Sequence, residues 1–387
     1  MNKLLLQINS VINSGSTGRI AEEIGQFAIK NGWRSYIAYG RNEHESHSEA
    51  IKIGNDWDIK WHGLQTRVFD RHGLASGKAT RQLVEKIGVI RPDIIHLHNL
   101  HGYYLNIRIL FRYLATSGIP VVWTLHDCWP MTGHCAHFSF ISCNKWKTQC
   151  EDCPQKRGYP ASYLIDRSRK NYQIKKELFT SVPEMTLVPV SNWLTRIANE
   201  SFLQTFPMKT IYNGVDTAVF TPFEVTEIRQ KWKIMQNAFI ILGVTSVWSE
   251  RKGLTDFIQL SESLRDNEII MLVGLEDKQI ENLPASILGI GKTEDVRELV
   301  ELYSLADVFV NPTWEDNFPT TNIEALACGT PVITYRTGGS PEALTSETGF
   351  VVERGDIAGL RGAIDTIRSR GKFSYSSACR ERAVKMF

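Results

Sequence analysis

Residues 313–344 combine a short predicted helix with residue types that bind phosphate and sugar hydroxyls. Pro319 fixes a backbone angle that suits the first turn of a helix, and Gly329 favours the end of that helix. The backbone amides that open such a helix have no partner within it and bind anions, phosphates above all. Glu324 follows about one turn later, where its carboxylate can accept hydrogen bonds from the vicinal diol of a ribose. The segment therefore predicts a binding site for a nucleoside diphosphate.

Two cations and two glycines lie in other segments that follow predicted strands. Arg251 and Lys252 come after one strand, and Gly338 and Gly339 come after another. Arginine offers a bidentate fork to phosphate and lysine a point charge, so the pair can neutralise a diphosphate that leaves during a reaction. The two glycines would let the backbone approach a bound sugar phosphate closely.

The hydrophobic pattern alternates between short β-rich runs and helix-length amphipathic stretches. Strands are predicted at residues 4–9, 35–40, 93–98, 120–126, 186–191, 239–246, 268–274, 307–312 and 331–336. Helices are predicted between them, for example after Gly18, over residues 78–88 and after Leu105. Continuous apolar strands that alternate with helices predict a parallel sheet covered on both faces. Because this rhythm stops and restarts, we expect an α/β fold with two doubly wound Rossmann-like domains.

The boundary between the two domains is predicted in the stretch 206–224, which holds two prolines and the turn pair Asn213-Gly214. We assign residues 1–206 to an N-terminal domain and residues 207–387 to a C-terminal domain. Open α/β sheets bind ligands outside the carboxyl ends of their strands. The two domains are therefore expected to face each other across a cleft that the residues after the strands would line.

Composition excludes several classes of protein. At 387 residues the chain exceeds what one hydrophobic core usually serves. Its 44 Lys and Arg against 42 Asp and Glu argue against a dedicated nucleic-acid binder. No apolar run approaches the roughly 18–20 residues that span a bilayer, and the N-terminus does not fit a signal peptide. We expect a cytoplasmic protein, with peripheral contact at the inner face of the membrane as an alternative.

The segment 313–344, with its runs EALACGTPV and GGSPEA, resembles the E-x7-E signature of retaining GT-B glycosyltransferases of glycosyltransferase family 4. Glu324 matches the second glutamate of this signature, and Asp316 stands at the position of the first. The resemblance implies that Glu324 holds the nucleotide ribose and that the first acid orients the donor sugar. Aspartate is shorter than the family's glutamate and Glu315 is adjacent, so both carboxylates are candidates for the second role.

The resemblance also assigns the cations. Family members carry an arginine and a lysine that grip the diphosphate, and Lys252, directly before Gly253, matches the lysine. The family arginine precedes the lysine by five or six residues, where this chain has Ser246 and Val247. Arg251 is the candidate in its place. Together the two cations would neutralise the diphosphate as the glycosidic bond breaks.

The donor implied by the resemblance is a UDP- or GDP-sugar, with no catalytic metal. The residues expected around it are Gly15, Gly18, Arg251, Lys252, Asn317, Phe318, Pro319, Thr320, Thr321, Glu324, Gly338 and Gly339. Gly15 and Gly18 belong to a predicted loop after the first strand, whose G-x-x-G spacing argues against a nicotinamide-binding turn.

The catalytic residues implied by the resemblance belong to both domains. They are His126, Arg251, Lys252, Asp316 and Glu324. His126 follows a predicted strand at the place where related transferases carry a histidine near the reacting sugar, so we expect it beside the acceptor hydroxyl. The N-terminal domain would accordingly be the acceptor side.

Seven cysteines are many for a cytoplasmic chain, and four of them cluster in an insertion at residues 128–160. The four are Cys135, Cys143, Cys150 and Cys153. Thiolates at these spacings could bind a structural zinc, with His134 or His137 as a replacement ligand, and buried thiols are the alternative. The insertion resembles that of a subgroup of bacterial polysaccharide-assembly transferases.

Two further patterns have both a functional and an ordinary interpretation. His96 and His98 share one side of a strand and could bind a metal, but packed histidines are favoured. The segment 166–179 mixes basic and apolar residues and could dock on an anionic membrane or a lipid diphosphate, although a solvated helix face is favoured.

The sequence thus predicts a retaining glycosyltransferase that moves a sugar from a nucleotide-diphospho-sugar to a saccharide or lipid-linked acceptor in cell-surface polysaccharide synthesis. One alternative is a nucleotide-sugar epimerase or hydrolase, which would consume donor without an acceptor. Another is a catalytically inactive GT-B scaffold or binding module. Relatives usually continue beyond the end AVKMF, so a truncated C-terminus is also expected.

Overall fold

In both halves of the chain, apolar strands pair in parallel and are covered on both faces, as their continuous hydrophobic runs predict. The computed structural model describes residues 2–232 and 234–387. The chain divides into two compact units, Met1–Ile211 and Tyr212–Phe387. The predicted fold class, two doubly wound α/β domains, is confirmed. The two units meet in the chain between Ile211 and Tyr212.

The first unit is built on one six-stranded sheet. Its strands are β1 (Leu4–Val11), β2 (Arg34–Arg41), β3 (Glu49–Lys52), β4 (Ile94–Leu97), β5 (Val121–Leu125) and β6 (Met185–Pro189). Its helices are α1 (Gly15–Lys30), α2 (Asp56–Phe69), α3 (Gly77–Ile90), α4 (Ile107–Ser117), α5 (Ser168–Phe179) and α6 (Asn192–Asn199). The strand order is β3-β2-β1-β4-β5-β6, and every pair is parallel.

The second unit repeats this plan. Its strands are β7 (Phe239–Val244), β8 (Glu268–Val273), β9 (Ile287–Ile290), β10 (Val308–Asn311), β11 (Val332–Tyr335) and β12 (Gly349–Val352). Its helices are α7 (Thr226–Lys231), α8 (Leu254–Ser261), α9 (Asp277–Glu281), α10 (Val296–Leu305), α11 (Thr320–Ala327), α12 (Ile357–Arg370) and α13 (Phe373–Met386). The strand order is β12-β11-β10-β7-β8-β9, again all parallel.

Each sheet has one point where the direction of chain growth reverses. The reversal lies between β1 and β4 in the first unit and between β7 and β10 in the second. Crevices at the carboxyl ends of the strands at such a switch point are the usual ligand sites of doubly wound sheets. The loops that follow these four strands are therefore the expected positions of a ligand site.

Aromatic packing holds the helices against the first sheet. Trp123 of β5, Phe111 of α4 and Phe179 of α5 are almost fully buried. The Trp123 ring lies 5.6 Å from that of Phe111 and 4.9 Å from that of Phe179, measured between centroids. These contacts bury apolar area and fix two helices on one face of the sheet.

Some elements differ from the sequence-based prediction. The strands β3, β9 and β12 were not predicted, because they are short edge strands that are only partly buried and therefore lack a continuous apolar run; in β3, for example, Ile51 alone is buried. The segment containing Gly15 and Gly18 was predicted to be a loop, and this was wrong, because helix α1 begins at Gly15. Among residues 2–232 and 234–387, none of the helices is long and apolar enough to cross a membrane.

A buried carboxylate connects helix α12 to strand β8. Arg361 binds Glu268 through two contacts of 2.8 and 3.0 Å, and Arg368 binds it at 2.5 Å. The Glu268 side chain is closed to solvent, while the two arginines are partly exposed. Burial works to raise the pKa of Glu268, but the hydrogen bonds and charges of the arginines lower it overall. The carboxylate is therefore ionised and bridges both arginines.

We expect Glu268→Gln to lower the free energy of unfolding by about 2–4 kcal/mol, because Arg368 would lose its carboxylate partner and Arg361 would keep only Asp365. Chemical denaturation measures this effect. Glu353→Gln is the matched control: Glu353 pairs with Arg336 at the surface, where both side chains are more than half exposed, and should cost less than about 1 kcal/mol. Equal losses in the two variants would contradict the structural role of Glu268.

Candidate functional site

The loops after β7 and β10 pack against each other at the switch point of the second unit. Gly253 has φ +80°, and a Cβ atom there would lie 2.3 Å from the carbonyl oxygen of Pro312. Only glycine permits this approach. The amide of Trp314 also donates to the carbonyl of Arg251 over 2.9 Å. The loop that carries both predicted cations is thereby fixed beside the segment that carries the predicted acids.

The cations contact that acidic segment directly. Lys252 Nζ lies 2.5 Å from Asp316 Oδ2, and Arg251 donates to the carbonyl of Glu315 over 3.1 Å. The Lys252 and Asp316 side chains keep about a fifth of their surface exposed, whereas Glu315 is buried. The amide of Asn317 donates to Asp316 Oδ1 over 2.9 Å and orients its carboxylate. Of the two candidate acids, Asp316 is the one that lies beside the lysine.

Helix α11 begins where the sequence predicts, at Thr320 with Pro319 as N-cap. Thr320 and Thr321 are half-buried, so solvent reaches the first turn of the helix. Glu324 is largely buried and accepts a hydrogen bond from Tyr303 over 2.9 Å. The predicted phosphate and ribose residues thus share one short helix directly after Asp316.

A third loop, after β11, contacts the same acidic segment. Gly338 has φ +55°, and a Cβ atom there would lie 1.7 Å from the carbonyl oxygen of Asp316. Gly339 follows and precedes a single 3-10 turn at Ser340–Ala343. The loops after β7, β10 and β11 therefore meet around Asp316.

Buried polar side chains hold this arrangement, and the sequence analysis did not identify them. Asn322 of α11 donates to Ser340 Oγ over 2.9 Å and accepts from Asn311 of β10 over 2.8 Å. Thr334 of β11 lies 2.6 Å from Ser340 Oγ. These are common polar residues on different elements, and nothing in the sequence indicates that they contact one another in the fold.

The remaining donor candidates pack beneath the start of α11. Asn317 and Phe318 are buried, and Asn213 donates to the carbonyl of Phe318 over 3.0 Å. The Phe318 ring stacks on Tyr212 with centroids 4.9 Å apart. Phe318 therefore anchors the turn before the helix through its ring.

In the first unit, a hydrogen-bond chain fixes the protonation of His126. Gln7 donates from its amide nitrogen to the carbonyl of Ala21 over 2.7 Å, so its amide oxygen faces His98 Nε2 at 3.0 Å. His98 therefore carries its proton on Nε2, and its Nδ1 accepts from His126 Nε2 at 3.0 Å. Burial lowers the pKa of His98 well below its usual range and that of His126 to about 4. Neutral His126 thus holds its proton on Nε2, and Nδ1 is an acceptor.

The next residue belongs to a second hydrogen-bonded group. His101 Nε2 lies 2.5 Å from Asp127 Oδ2, and His101 Nδ1 lies 3.0 Å from the hydroxyl of Tyr159. Burial works to raise the pKa of Asp127, but the charge and hydrogen bond of His101 bring it down to about 2. Tyr159 was not identified from the sequence, because its contact with His101 joins residues 58 positions apart.

The other sequence candidates in this unit are two glycines and a pair of histidines. Gly15 and Gly18 lie in the first turn of α1, directly after β1. His96 contacts Thr124 Oγ1 at 2.8 Å and stacks on His98, with ring centroids 4.2 Å apart. This packing favours the ordinary interpretation of the histidine pair.

The zinc prediction is not supported. The four cysteines offered as ligands, Cys135, Cys143, Cys150 and Cys153, line one cavity. Within the described part of the chain, however, no group of three or more His, Cys, Asp or Glu side chains is placed to hold a metal ion. The thiols of Cys135 and Cys153 hydrogen-bond each other, and His134 is engaged with Asp70 at 2.7 Å.

Helix α5 does not support the membrane-docking interpretation of residues 166–179. Its apolar residues Tyr172, Ile174 and Leu178 are buried in the unit. Lys175 is also buried and donates to the carbonyl of Trp129 over 2.6 Å. The apolar face of α5 is therefore used for packing within the first unit.

Two parallel sheets with the same strand order and loops converging at the switch points define a protein of the GT-B class. Sucrose-phosphate synthase from Thermosynechococcus elongatus superimposes with a TM-score of 0.72 at 17% identity, covering 100% of this chain and 95% of that one. Anabaena HepE in complex with UDP gives 0.68 at 17% identity, with coverage of 100% and 95%. At these identities the likeness shows the fold alone.

The family follows from the sequence matches. Residues 17–219 match the family described as Glycosyltransferase Family 4, and residues 238–369 match the one described as Glycosyl transferases group 1. The chain therefore belongs to glycosyltransferase family 4. WcaC of Escherichia coli (strain K12), a glycosyl transferase assigned to colanic acid biosynthesis, is 25% identical over 378 residues, which are 92% of this chain and 89% of WcaC.

We expect Gly338→Ala to displace Asp316, because the new Cβ would overlap its carbonyl oxygen. The variant should lose more than about 2 kcal/mol of unfolding free energy, beyond the strain of a left-handed residue alone. Gly118→Ala is the matched control, since Gly118 also has positive φ (+67°) but open space around its Cβ position. Denaturant titration compares the two, and equal losses would contradict the contact with Asp316.

We also expect long-range 1H–15N spectra at neutral pH to show both His98 and His126 as Nε2–H tautomers. Gln7→Leu removes the acceptor that fixes the hydrogen-bond chain from Gln7 to His126. The variant should lower the turnover of glycosyl transfer about tenfold, as loss of an orienting partner does. Gln82→Leu, an exposed glutamine on α3, is the control and should leave turnover unchanged. An Nδ1–H signal for His126 would overturn the assignment.

Proposed function

We propose that the protein transfers a sugar from a nucleotide-diphospho-sugar to a saccharide or lipid-linked acceptor, with retention of anomeric configuration, in the synthesis of a cell-surface polysaccharide. Membership in family 4 supports glycosyl transfer. Likeness to WcaC along most of both chains supports a role in polysaccharide assembly. HepE is solved with UDP and with UDP-glucose, which supports UDP as the first nucleotide to test.

The proposed donor site rests on one observation, the contact between Lys252 and Asp316 directly before helix α11. Both side chains are partly exposed, so a ligand can reach them. A diphosphate would take over Lys252 as its counter-charge, and the released Asp316 carboxylate would accept hydrogen bonds from the donor sugar. Because Lys252 is held at this place by the Gly253 turn, the cation needs little reorganisation to meet the phosphate.

The rest of the donor would follow helix α11. Amides at Thr320 and Thr321 open the helix and attract phosphate oxygens through their unscreened dipoles. Arg251 adds a second positive charge beside the same segment. Glu324, oriented by Tyr303, would accept the ribose hydroxyls one turn further along.

The reaction itself breaks the bond between the sugar C1 and the phosphate oxygen, and the electron pair passes to that oxygen. The acceptor oxygen bonds to C1 on the same face, and its proton passes to the departing phosphate oxygen. His126 Nδ1, an acceptor in the tautomer derived above, would orient the acceptor hydroxyl. Lys252 and Arg251 would stabilise the negative charge that develops on the diphosphate.

We expect Lys252→Ala to weaken UDP binding about tenfold and turnover about a hundredfold, because the charge it balances is greatest in the transition state. Glu324→Ala should abolish measurable nucleotide binding. Isothermal titration with UDP and GDP gives the affinities, and release of UDP from UDP-sugars gives turnover. Lys278→Ala, an exposed lysine on α9, is the matched control and should bind UDP as the unchanged protein does.

Variants of Asp316 separate its expected role, binding of the donor sugar, from that of Glu324, binding of the nucleotide. Asp316→Asn should lower turnover with little change in UDP affinity, and Asp316→Glu, which restores the residue type of the family signature, should retain activity. Donor consumption without any acceptor would instead indicate a hydrolase or an epimerase. Failure to bind any nucleotide would contradict the proposal and favour the inactive scaffold.

A further inference from the structure

Helix α2 presents its apolar side chains to solvent. Trp57, Trp61 and Leu64 lie four and three residues apart, which places them on one face of the helix. Their exposed fractions are 79%, 58% and 48%. An ordinary surface helix turns such a face towards the core.

The inner face of α2 is polar, and hydrogen bonds fix it in place. His62 and Thr66 are fully buried there. His62 Nδ1 lies 2.8 Å from Ser76 Oγ, its Nε2 accepts from the amide of Gly73 at 3.2 Å, and Thr66 donates to the His62 carbonyl over 3.0 Å. Rotation of the helix to bury its tryptophans would break the two hydrogen bonds of His62, so the outward apolar face is a property of the fold.

A second segment extends this apolar surface. Exposed side chains follow one another at Tyr163, Leu164 and Ile165, with exposed fractions of 56%, 70% and 42%. Their backbone is bonded to the end of α2: the amide of Tyr163 donates to the carbonyl of Arg67 over 2.8 Å, and that of Ile165 to the carbonyl of Val68 over 3.3 Å. We call Trp57, Trp61, Leu64, Tyr163, Leu164 and Ile165 the α2 patch.

The rim of the α2 patch is basic. Lys60 lies over the Trp57 ring, with Nζ 5.3 Å from the centroid, and Arg67 and Arg71 are exposed nearby. The acids of α2 are engaged at its first turn: Asp56 pairs with Lys52 at 3.9 Å, and Asp58 accepts from the amide that caps the helix. Positive charge therefore prevails at the edge of the apolar surface.

We propose that the α2 patch docks the protein on the anionic surface of a lipid bilayer. Tryptophan and tyrosine rings favour the boundary between lipid headgroups and acyl chains, and lysine and arginine at the rim attract anionic headgroups. A two-fold pairing of two copies through the patch would instead bring Lys60 and Arg67 of both copies together, which like-charge repulsion opposes. This docking goes beyond the proposed function, because lipid binding requires no donor.

The test is co-sedimentation of the full chain with vesicles of mixed phosphatidylglycerol and phosphatidylcholine, and with phosphatidylcholine alone. We expect the unchanged protein to bind the anionic vesicles more tightly. The double variant W57E/W61E should bind them at least about tenfold more weakly, and K60E/R67E should lose about fivefold per cation. The tryptophan fluorescence of the unchanged protein should shift to the blue on the vesicles.

Phe27→Glu is the matched control, because Phe27 is 70% exposed on α1, outside the α2 patch. Its vesicle binding should equal that of the unchanged protein, and melting temperatures should agree for all variants, since the replaced side chains are exposed. Equal binding by W57E/W61E and Phe27→Glu would overturn the proposal. So would light scattering that shows a dimer split by W57E/W61E without a change in vesicle binding. Turnover in vesicle-free solution, measured on the same samples, tests the proposed function separately.

Discussion

The candidate donor site depends on two contacts in which a glycine lies directly against the backbone of the neighbouring loop. Gly253 meets the carbonyl of Pro312, and Gly338 meets that of Asp316. Each gap is too small for a Cβ atom, so the loops after β7, β10 and β11 lie closer than ordinary loops can. This closeness brings Lys252 within ion-pair distance of Asp316 and sets both at the start of α11. The parallel sheet makes the contact possible, because it delivers all three loops to the same edge.

In the first unit, burial and a chain of hydrogen bonds fix the polar groups. Burial lowers the pKa of His98 and that of His126 and keeps both rings neutral, so each of their ring nitrogens is either a donor or an acceptor. The orientation of Gln7 then propagates through His98 to His126. A buried chain of this kind transmits a defined hydrogen-bond polarity from the middle of β1 to the end of β5. Asp127 and His101 form a separate, charged group beside it.

Helix α2 shows that the packing of the unit overrides amphipathic preference. Its polar face is bound by specific hydrogen bonds to the loop before α3, and its tryptophans are left in water. Exposed tryptophans on a helix fixed in this way bring no stability to the isolated protein. The lipid surface proposed above would cover these tryptophans. In the insertion, by contrast, suitable residue types do not produce a site. Four cysteines share one cavity, but they form no metal site in the described residues.

The sequence by itself determined the class of fold and the position of the helix to which the candidate donor site is assigned. Continuous apolar runs specified parallel strands, and Pro319 and Gly329 bounded α11, because these signals act between near neighbours in the chain. Only the tertiary structure decided that Asp316, and not Glu315, lies beside Lys252. It also placed Gln7 against His98, 91 residues away. Local backbone preferences depend on consecutive residues and can be read from the sequence. Contacts between distant residues depend on the distance between loops, which only the folded sheet sets.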